Sequence, residues 1–317
     1  MPAVVALGGG HGLARALAAL RNLGVRPTAV VTVADDGGSS GRLRQDLNII
    51  APGDLRMALL ALARNRTLAG ALTHRFPKGQ LAGHALGNLF LVALAERADG
   101  DFVQALDTAA ILLDCEGRVL PATTLPVSLE AKVGGEQING QARVTRAGGR
   151  VERIWLEPSD PPACPEAERA IDEADAVVLA PGSLFTSIAA VLLVPQLAEA
   201  LARTSARVVM VANVATQTGE TDGLDLAGHV DNLLAHAPGV TLDTVIAHDG
   251  PCPNGVDPLG TDLRHPRVGG VRRADVITRR EDGGIIAVHD PRRLAAVLAP
   301  LLGVPRGRGV HSAATVC

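Results

Sequence analysis

Short apolar runs along the chain alternate with stretches of helical periodicity. The run "AVVAL" at 3–7 stops at three glycines, and "GLARALAALRNLG" after it carries leucines at helical spacing. "PTAVVTVA" at 27–34 is then mostly apolar, as expected of a strand buried on both faces in a parallel sheet covered by helices. This order of strand, turn and helix predicts a doubly wound α/β fold.

The second half of the chain repeats the alternation. "ADAVVLAPGSLFTS", "ARVVMVANVAT" and "LDTVIAHDG" are each an apolar strand that ends in small or polar residues. Between them and the first half, "VSLEAKVGGEQINGQARV" places β-branched and polar residues alternately around Gly-Gly and Asn-Gly turns, which is typical of antiparallel hairpins. We predict one α/β domain over 1–303, with an inserted β element at 114–158 and a flexible tail at 304–317.

Composition narrows the class of protein. The 317 residues are 47% hydrophobic and carry a formal net charge of -3, so the chain as a whole has no attraction for nucleic acid or an anionic membrane. Its four cysteines are far apart and form no CxxC pair, which favours neither a zinc site nor a disulfide framework. With no secretory leader and no apolar stretch of spanning length, we expect a cytoplasmic protein without membrane insertion.

The glycine-rich turn after the first strand is the first candidate binding site. Its residues are Gly8, Gly9, Gly10, His11 and Gly12. Glycines allow the backbone to approach a phosphate closely, and the helix that follows offers free N–H groups. The spacing is not G-x-G-x-x-G, so a tight strand-to-helix turn without a ligand is the alternative.

The stretch "VTVADDGGSSGRLR" at 31–44 holds the second candidate. Asp35 and Asp36 end a strand, where carboxylates can bond a ribose hydroxyl or hold a divalent cation such as Mg2+. The Gly-Ser run with Ser39 and Ser40 is predicted to form an anion-binding nest, with Arg42 as its counter-charge. A solvated Asx turn is the alternative.

Polar residues at other strand and helix ends complete the predicted ligand site. In "APGDLR", Asp54 resembles a helix N-cap with Arg56 in the first turn, and in "GHALGNL" His84 and Asn88 are predicted to share one helical face. Two later strand ends offer hydroxyls, amides and acids for a phosphate, a sugar or a base. Their residues are Gly182, Ser183, Thr186, Ser187, Asn213, Thr216, Gln217, Glu220, Thr221 and Asp222.

Six of these motifs together carry a family resemblance. "LGGGHGL", "VTVADDGGSSGRLR", "PGDLR", "GHALGNL", "APGSLFTS" and "TQTGETDG", in this order and over nearly the full length, resemble the gluconeogenesis factor (YvcK) branch of the CofD-like family. The resemblance implies a Rossmann-like three-layer αβα fold with a mostly parallel sheet, and a cytoplasmic homodimer. It also implies a nucleotide-sugar ligand, UDP-N-acetylglucosamine, and a role in gluconeogenic growth, cell shape and peptidoglycan synthesis.

Three functions from different classes remain open at this point. The first is a regulatory protein that binds a nucleotide sugar, with no certain cofactor. The second, implied by the other branch of the family, is a Mg2+-dependent phospho-lactate transferase with Asp35 and Asp36 on the metal. The third is a nicotinamide-linked oxidoreductase, which we rank lowest because the chain shows no hydride-transfer constellation, although an NAD-like dinucleotide would suit the same turns.

The chain also departs from the family pattern at two points. Where relatives have arginine near the C-terminus this chain has Val288, and it contains no tyrosine.

Overall fold

The computed structural model describes residues 1–149 and 151–304. All but the first residue of the predicted tail, 304–317, therefore lies outside the described residues. The strands are β1 (Val4–Gly8), β2 (Thr28–Val31), β3 (Arg118–Pro121), β4 (Ser128–Val133), β5 (Glu136–Asn139), β6 (Val151–Glu157), β7 (Ala176–Leu179), β8 (Arg207–Val211), β9 (Thr244–His248), β10 (Val271–Ala274), β11 (Ile277–Arg279) and β12 (Ile285–His289).

Helices occupy most of the connections between these strands. They are α1 (Gly10–Asn22), α2 (Gly38–Leu47), α3 (Pro52–Leu62), α4 (Arg66–Thr73), α5 (Leu86–Arg97), α6 (Phe102–Leu112), α7 (Gln141–Val144), α8 (Pro165–Asp172), α9 (Ala190–Leu192), α10 (Pro195–Arg203), α11 (Leu226–Ala235) and α12 (Pro291–Leu301). A π-helical turn, Leu184–Ala189, leads directly into α9. The periodic run after the glycines thus forms α1, as its leucine spacing predicts.

The central sheet has seven strands in the order β10-β9-β8-β7-β1-β2-β3. Every neighbouring pair in it is parallel. The chain leaves β1 toward β2 and β3, and later returns to the other side of β1 with β7. The strand order therefore reverses between β1 and β7, which makes this the topological switch point of a doubly wound sheet.

Burial explains why the strands are apolar throughout. All residues of β1 and β7 are buried, because helices cover both faces of the sheet. At the edge strand β3, both α6 and α8 contact the strand, and α1 packs on α3 and α12. This confirms the predicted α/β fold with a mostly parallel sheet.

The antiparallel sheet forms where hairpin chemistry predicts it. Strands β5, β4 and β6 pair in this order through antiparallel ladders. One difference concerns the boundary: β3 lies inside the predicted insertion, 114–158, yet pairs with β2 in the central sheet. The strand is only four residues long, so its periodicity does not distinguish the two sheets. A second hairpin, β11 with β12, follows the central sheet.

Among residues 1–149 and 151–304, no single helix is long and apolar enough to cross a membrane. Leu184–Leu192 and Pro195–Arg203 together meet the length and composition test, but the pair is bent by 76°.

Candidate functional site

A cavity of about 340 Å³ opens at the switch point, between the turns that follow β1 and β7. Ligands of open α/β sheets bind in this crevice, outside the carboxyl ends of the strands. The residues around it come from six stretches of the chain: Gly9, Gly10, His11, Gly12, Arg15, Asp54, Gln141, Pro181, Gly182, Ser183, Ser187, Asn213, Val214, Ala215, Thr216, Gln217, Ala287, Val288 and His289. The structure thus brings together much of the predicted ligand site.

The glycine turn has specific steric reasons for its composition. Gly8 and Gly10 have φ angles of 149° and 60°, which residues with a Cβ rarely adopt. At Gly12, a Cβ would overlap the backbone carbonyl of Pro181 in the turn after β7. Glycine at position 12 therefore lets the first turn of α1 pack directly against the turn after β7, which forms the opposite wall of the cavity.

Asn213, two residues after β8, fixes the turn after β7. Its Oδ1 accepts a hydrogen bond from the Gly182 N–H at 2.9 Å, and its Nδ2 donates to the Gly182 carbonyl at 2.8 Å. Nearby, Gln217 Nε2 donates to the Ser183 hydroxyl at 3.3 Å. These bonds hold two strand ends together, and Thr216 lines the cavity beside them.

Glu220 occupies the helix start that was predicted to bind phosphate. Its Oε1 accepts hydrogen bonds from the backbone N–H groups of Phe185 at 2.9 Å and Thr186 at 3.4 Å. Burial raises the pKa of Glu220, and these donors oppose the shift. The N–H groups at the start of the π-helical turn are thus taken by a carboxylate of the chain itself, while Ser183 and Ser187 line the cavity.

Thr221 and Asp222 shape the loop after β8 and lie outside the lining of the switch-point cavity. The Thr221 hydroxyl accepts a bond from the Gln217 N–H at 2.8 Å, and Asp222 Oδ2 accepts one from the Gly219 N–H at 2.6 Å. Their polar groups close the loop on itself. Both side chains therefore have a local structural role.

The paired acids after β2 have different partners. Asp35 Oδ1 accepts a bond from the Gly37 N–H at 2.9 Å, which is an Asx turn, the alternative that the sequence left open. Asp36 Oδ1 accepts one from the Ala142 N–H at 2.8 Å, in the inserted β element. The Gly-Ser run after them is the first turn of α2 rather than a nest, because Gly37 caps the helix with extended backbone.

Asp54 connects the glycine turn with Asp35. It lies inside the first turn of α3, where Ala51 and not Asp54 is the N-cap. A Cβ on Gly9 would lie 2.5 Å from its Oδ2, so the carboxyl packs directly under the turn. Burial and the charge of Asp35 raise the pKa of Asp54 to about 7, against smaller opposing effects of the Gly10 N–H and Arg56.

Ser39, Ser40, His84 and Asn88 form a buried hydrogen-bonded cluster behind the acids. His84 precedes α5, which begins at Leu86, so the two residues do not share a helical face as predicted; extended backbone at Ala85 separates them. They meet instead through Ser39, whose hydroxyl lies 3.1 Å from both His84 Nδ1 and Asn88 Nδ2. Asn88 Oδ1 has no hydrogen-bond partner among the described residues.

Two predicted cations lie away from the switch-point cavity. Arg42 is exposed and donates a 2.8 Å bond to the Ala82 carbonyl. Arg56 is half-buried, and burial together with the charge of Arg75 lowers its pKa. In the described part of the chain, Arg56 Nε has no hydrogen-bond partner. Neither guanidinium is placed to neutralise a phosphate in the cavity.

Sequence reasoning missed three polar residues of the cavity wall. Arg15 extends from the second turn of α1, and a cation so close to a glycine turn was a usable signal. Gln141 arrives from the inserted element, and its Nε2 lies 3.3 Å from the Thr186 carbonyl. His289 bonds the Ala212 carbonyl through Nε2 at 3.1 Å, and burial lowers its pKa to about 4. Only the folded chain places the last two at this edge.

The described residues contain no group of three or more His, Cys, Asp or Glu side chains placed to hold a metal ion. Both predicted acids already accept a backbone hydrogen bond, Asp35 from Gly37 and Asp36 from Ala142. Asp35 also has a second carboxylate nearby, because its charge contributes to the raised pKa of Asp54. Carboxylates are the ligands that Mg2+ prefers. Asp35 with Asp54 therefore fits a divalent cation better than Asp35 with Asp36.

Known proteins share this fold and sequence over almost the whole chain. The family model described as "2-phospho-L-lactate transferase CofD" matches residues 4–259. A Mycobacterium tuberculosis protein is 45% identical over 308 residues, covering 93% of this chain and 89% of that protein. The gluconeogenesis factor of Bacillus subtilis is 37% identical over 315 residues, covering 95% and 98% respectively.

A solved structure agrees with these sequence matches. The crystal structure of a UPF0052 family protein from Bacillus halodurans has a TM-score of 0.87 and 35% sequence identity, covering 94% of this chain and 100% of the other. Sequence and fold lead to one assignment: the chain belongs to the gluconeogenesis factor (YvcK) family and carries a CofD domain.

Proposed function

We propose that the protein is a cytoplasmic regulatory protein that binds a nucleotide sugar of the UDP-N-acetylglucosamine type. The observation that carries this proposal is the cavity at the switch point, between the glycine turn after β1 and the Pro181–Ser183 turn after β7. Its volume of about 340 Å³ lies in the range of small-molecule sites. This location in a doubly wound sheet favours ligands with phosphate groups.

The chemistry of the wall suits the parts of such a ligand. On one side, the glycine turn and the start of α1 offer backbone N–H groups to a diphosphate. On the other side, Ser183, Ser187, Thr216 and Gln217 offer hydroxyl and amide groups to a sugar or a base. A dinucleotide such as NAD presents the same diphosphate, so it is the natural competitor in a binding test.

The regulatory part of the proposal is supported by the family. A Bacillus subtilis relative is named a gluconeogenesis factor, and the family resemblance implies effects on central carbon metabolism, cell shape and peptidoglycan synthesis. We extend these roles to this chain. In this proposal the binding of the nucleotide sugar is the signal, and the protein responds to it as a homodimer.

Isothermal titration calorimetry with UDP-N-acetylglucosamine tests the proposal. We expect saturable binding, weakened about threefold to tenfold by Thr216→Val, which removes a hydroxyl from the cavity wall without changing side-chain volume. Thr108→Val makes the same change on the exposed face of α6 and is the matched control. Absence of heat at millimolar ligand with folded protein would refute the proposal, and tighter binding of NAD would change the ligand class.

The acid pair of half-buried Asp35 and buried Asp54 supports a second candidate, a Mg2+-dependent transferase of phosphorus-containing groups. Asp35 and Asp54 lie together behind the glycine turn, and near them Arg56 Nε and Asn88 Oδ1 lack partners among the described residues. Bound Mg2+ would supply charge neutralisation to a phosphoryl group. The chain would hold the metal with Asp35 and Asp54, of which Asp54 lines the cavity.

Metal binding separates the second candidate from the first. We expect Mg2+ to raise the melting temperature of the wild-type protein and of Asp46→Asn, an exposed control. The same ion should have no effect on Asp35→Asn. If all three proteins respond alike, Asp35 does not bind the metal and the transferase loses its structural support.

A further inference from the structure

Arg15 is the free cation of the switch-point cavity. It lies four residues after His11 on α1, so the two side chains share the helix face above the glycine turn. Helical side chains lean toward the N-terminus of their helix, which brings the guanidinium toward this turn. Within the described residues it makes no hydrogen bond or ion pair, and it lines the cavity while exposed to solvent.

No other described residue of the cavity wall has a permanent positive charge. His289 is neutral at physiological pH, since burial above all, with smaller effects of His248 and Arg15, lowers its pKa to about 4. Arg42 points to the Ala82 carbonyl and lies outside the wall. An anion in this cavity therefore has one guanidinium available to it.

We infer that Arg15 pairs with the phosphate part of the bound ligand and restricts the cavity to anionic ligands, an inference that rests on the proposed nucleotide-sugar site. A guanidinium presents two parallel N–H donors that match two phosphate oxygens, so it selects for phosphate by geometry as well as charge. The backbone N–H groups of the glycine turn would contact the same anion from the other side.

A purely structural role for Arg15 would require a partner within the protein. The described chain provides none, in contrast to Arg21, which bonds Glu116 at 2.8 Å from the same helix. Replacing Arg15 should therefore leave the stability of the unliganded protein within about 0.5 kcal/mol of the wild type. Any loss of ligand binding can then be assigned to the missing cation.

The test compares Arg15→Gln and Arg15→Lys with Arg97→Gln, which removes one exposed arginine from the end of α5 and serves as the charge-matched control. UDP-N-acetylglucosamine is titrated by calorimetry, and inorganic pyrophosphate is followed by thermal shift. We expect Arg15→Gln to lower the affinity for the nucleotide sugar at least tenfold, Arg15→Lys to lower it less, and Arg97→Gln to leave it unchanged. Equal affinities for the wild type and Arg15→Gln would overturn the inference.

Pyrophosphate separates this inference from the proposed function. If the wild type does not bind UDP-N-acetylglucosamine, the proposed ligand is wrong, and pyrophosphate alone decides the role of Arg15. The inference is supported if pyrophosphate raises the melting temperature of the wild type and of Arg97→Gln but not that of Arg15→Gln. Equal shifts in all variants, or none in the wild type, overturn it.

Discussion

The carboxylate of Asp36 accepts a hydrogen bond from the backbone N–H of Ala142, which lies 106 residues further along the chain. The bond joins the loop after β2, which ends at Val31, to the first turn of α7 in the inserted element. The adjacent Gly140 has a φ of 97° and no room for a Cβ beside the Asp36 carboxylate. Gln141 lies between Gly140 and Ala142, so the contact with Asp36 also sets the position of Gln141 in the wall of the cavity.

Asp36→Ala is expected to loosen the inserted element. The Ala142 N–H loses a charged acceptor, so we expect a loss of about 1–3 kcal/mol in the free energy of unfolding. Amide hydrogen exchange should accelerate at residues 141–144. The control is Asp46→Asn, which changes an exposed acid on α2. Unchanged exchange in this segment would show that Asp36 does not hold it.

Asp54→Asn should remove a pH dependence of stability. The pKa of Asp54 rises from 3.8 to about 7 on folding, so the folded state holds this proton more tightly than the unfolded state. The free energy of unfolding of the wild type should fall between about pH 4 and pH 7 by at most roughly 4 kcal/mol, and level off above that range. Urea titrations at several pH values measure it, and parallel profiles for the two proteins would contradict the assignment to Asp54.

Gly12→Ala should separate the two walls of the cavity. The new methyl group would overlap the Pro181 carbonyl, and neither backbone can move freely, so we expect a loss of about 1–3 kcal/mol or more. Gly70→Ala is the matched control, because a Cβ there meets nothing within 4 Å and alanine is the better helix former. Urea unfolding should show the first variant destabilised and the second unchanged or stabilised; equal stability would contradict the close approach.

Glu220→Ala and Glu220→Gln should differ in stability. Alanine leaves the buried N–H groups of Phe185 and Thr186 without an acceptor, which costs about 1–3 kcal/mol, whereas the glutamine oxygen can still accept from both. Chemical denaturation of the two variants and the wild type provides the comparison. If glutamine destabilises as much as alanine, capping by Glu220 is not the source of its effect.

The general layout of the fold follows from local pattern. The leucine spacing after the first glycines predicts α1, and apolar runs of four or five residues predict β1, β2 and β7, because strands buried on both faces need no polar side chains. The sequence resemblance likewise predicts the family that the comparisons show. Both kinds of information are contained in short contiguous segments.

Local pattern does not predict the partners of individual side chains. Asp36 resembled a ligand residue and bonds the inserted element, while Arg42, expected on a phosphate, bonds the Ala82 carbonyl. Residue type shows that an acid or a cation needs a partner, but it does not show which partner is near. These contacts join residues at least forty positions apart, so only the folded chain decides them.

By itself, the sequence determined that this chain forms a doubly wound parallel sheet and that glycine turns and polar residues follow its strands. Hydrophobic periodicity and turn chemistry act over a few residues, and so they can be recognised in the printed sequence. Only the tertiary structure decided that Arg15, Gln141 and His289 share the wall of one cavity, and that Glu220 fills a helix start. Such proximity depends on the order of the strands and the packing of the helices, which bring distant segments to the same edge of the sheet.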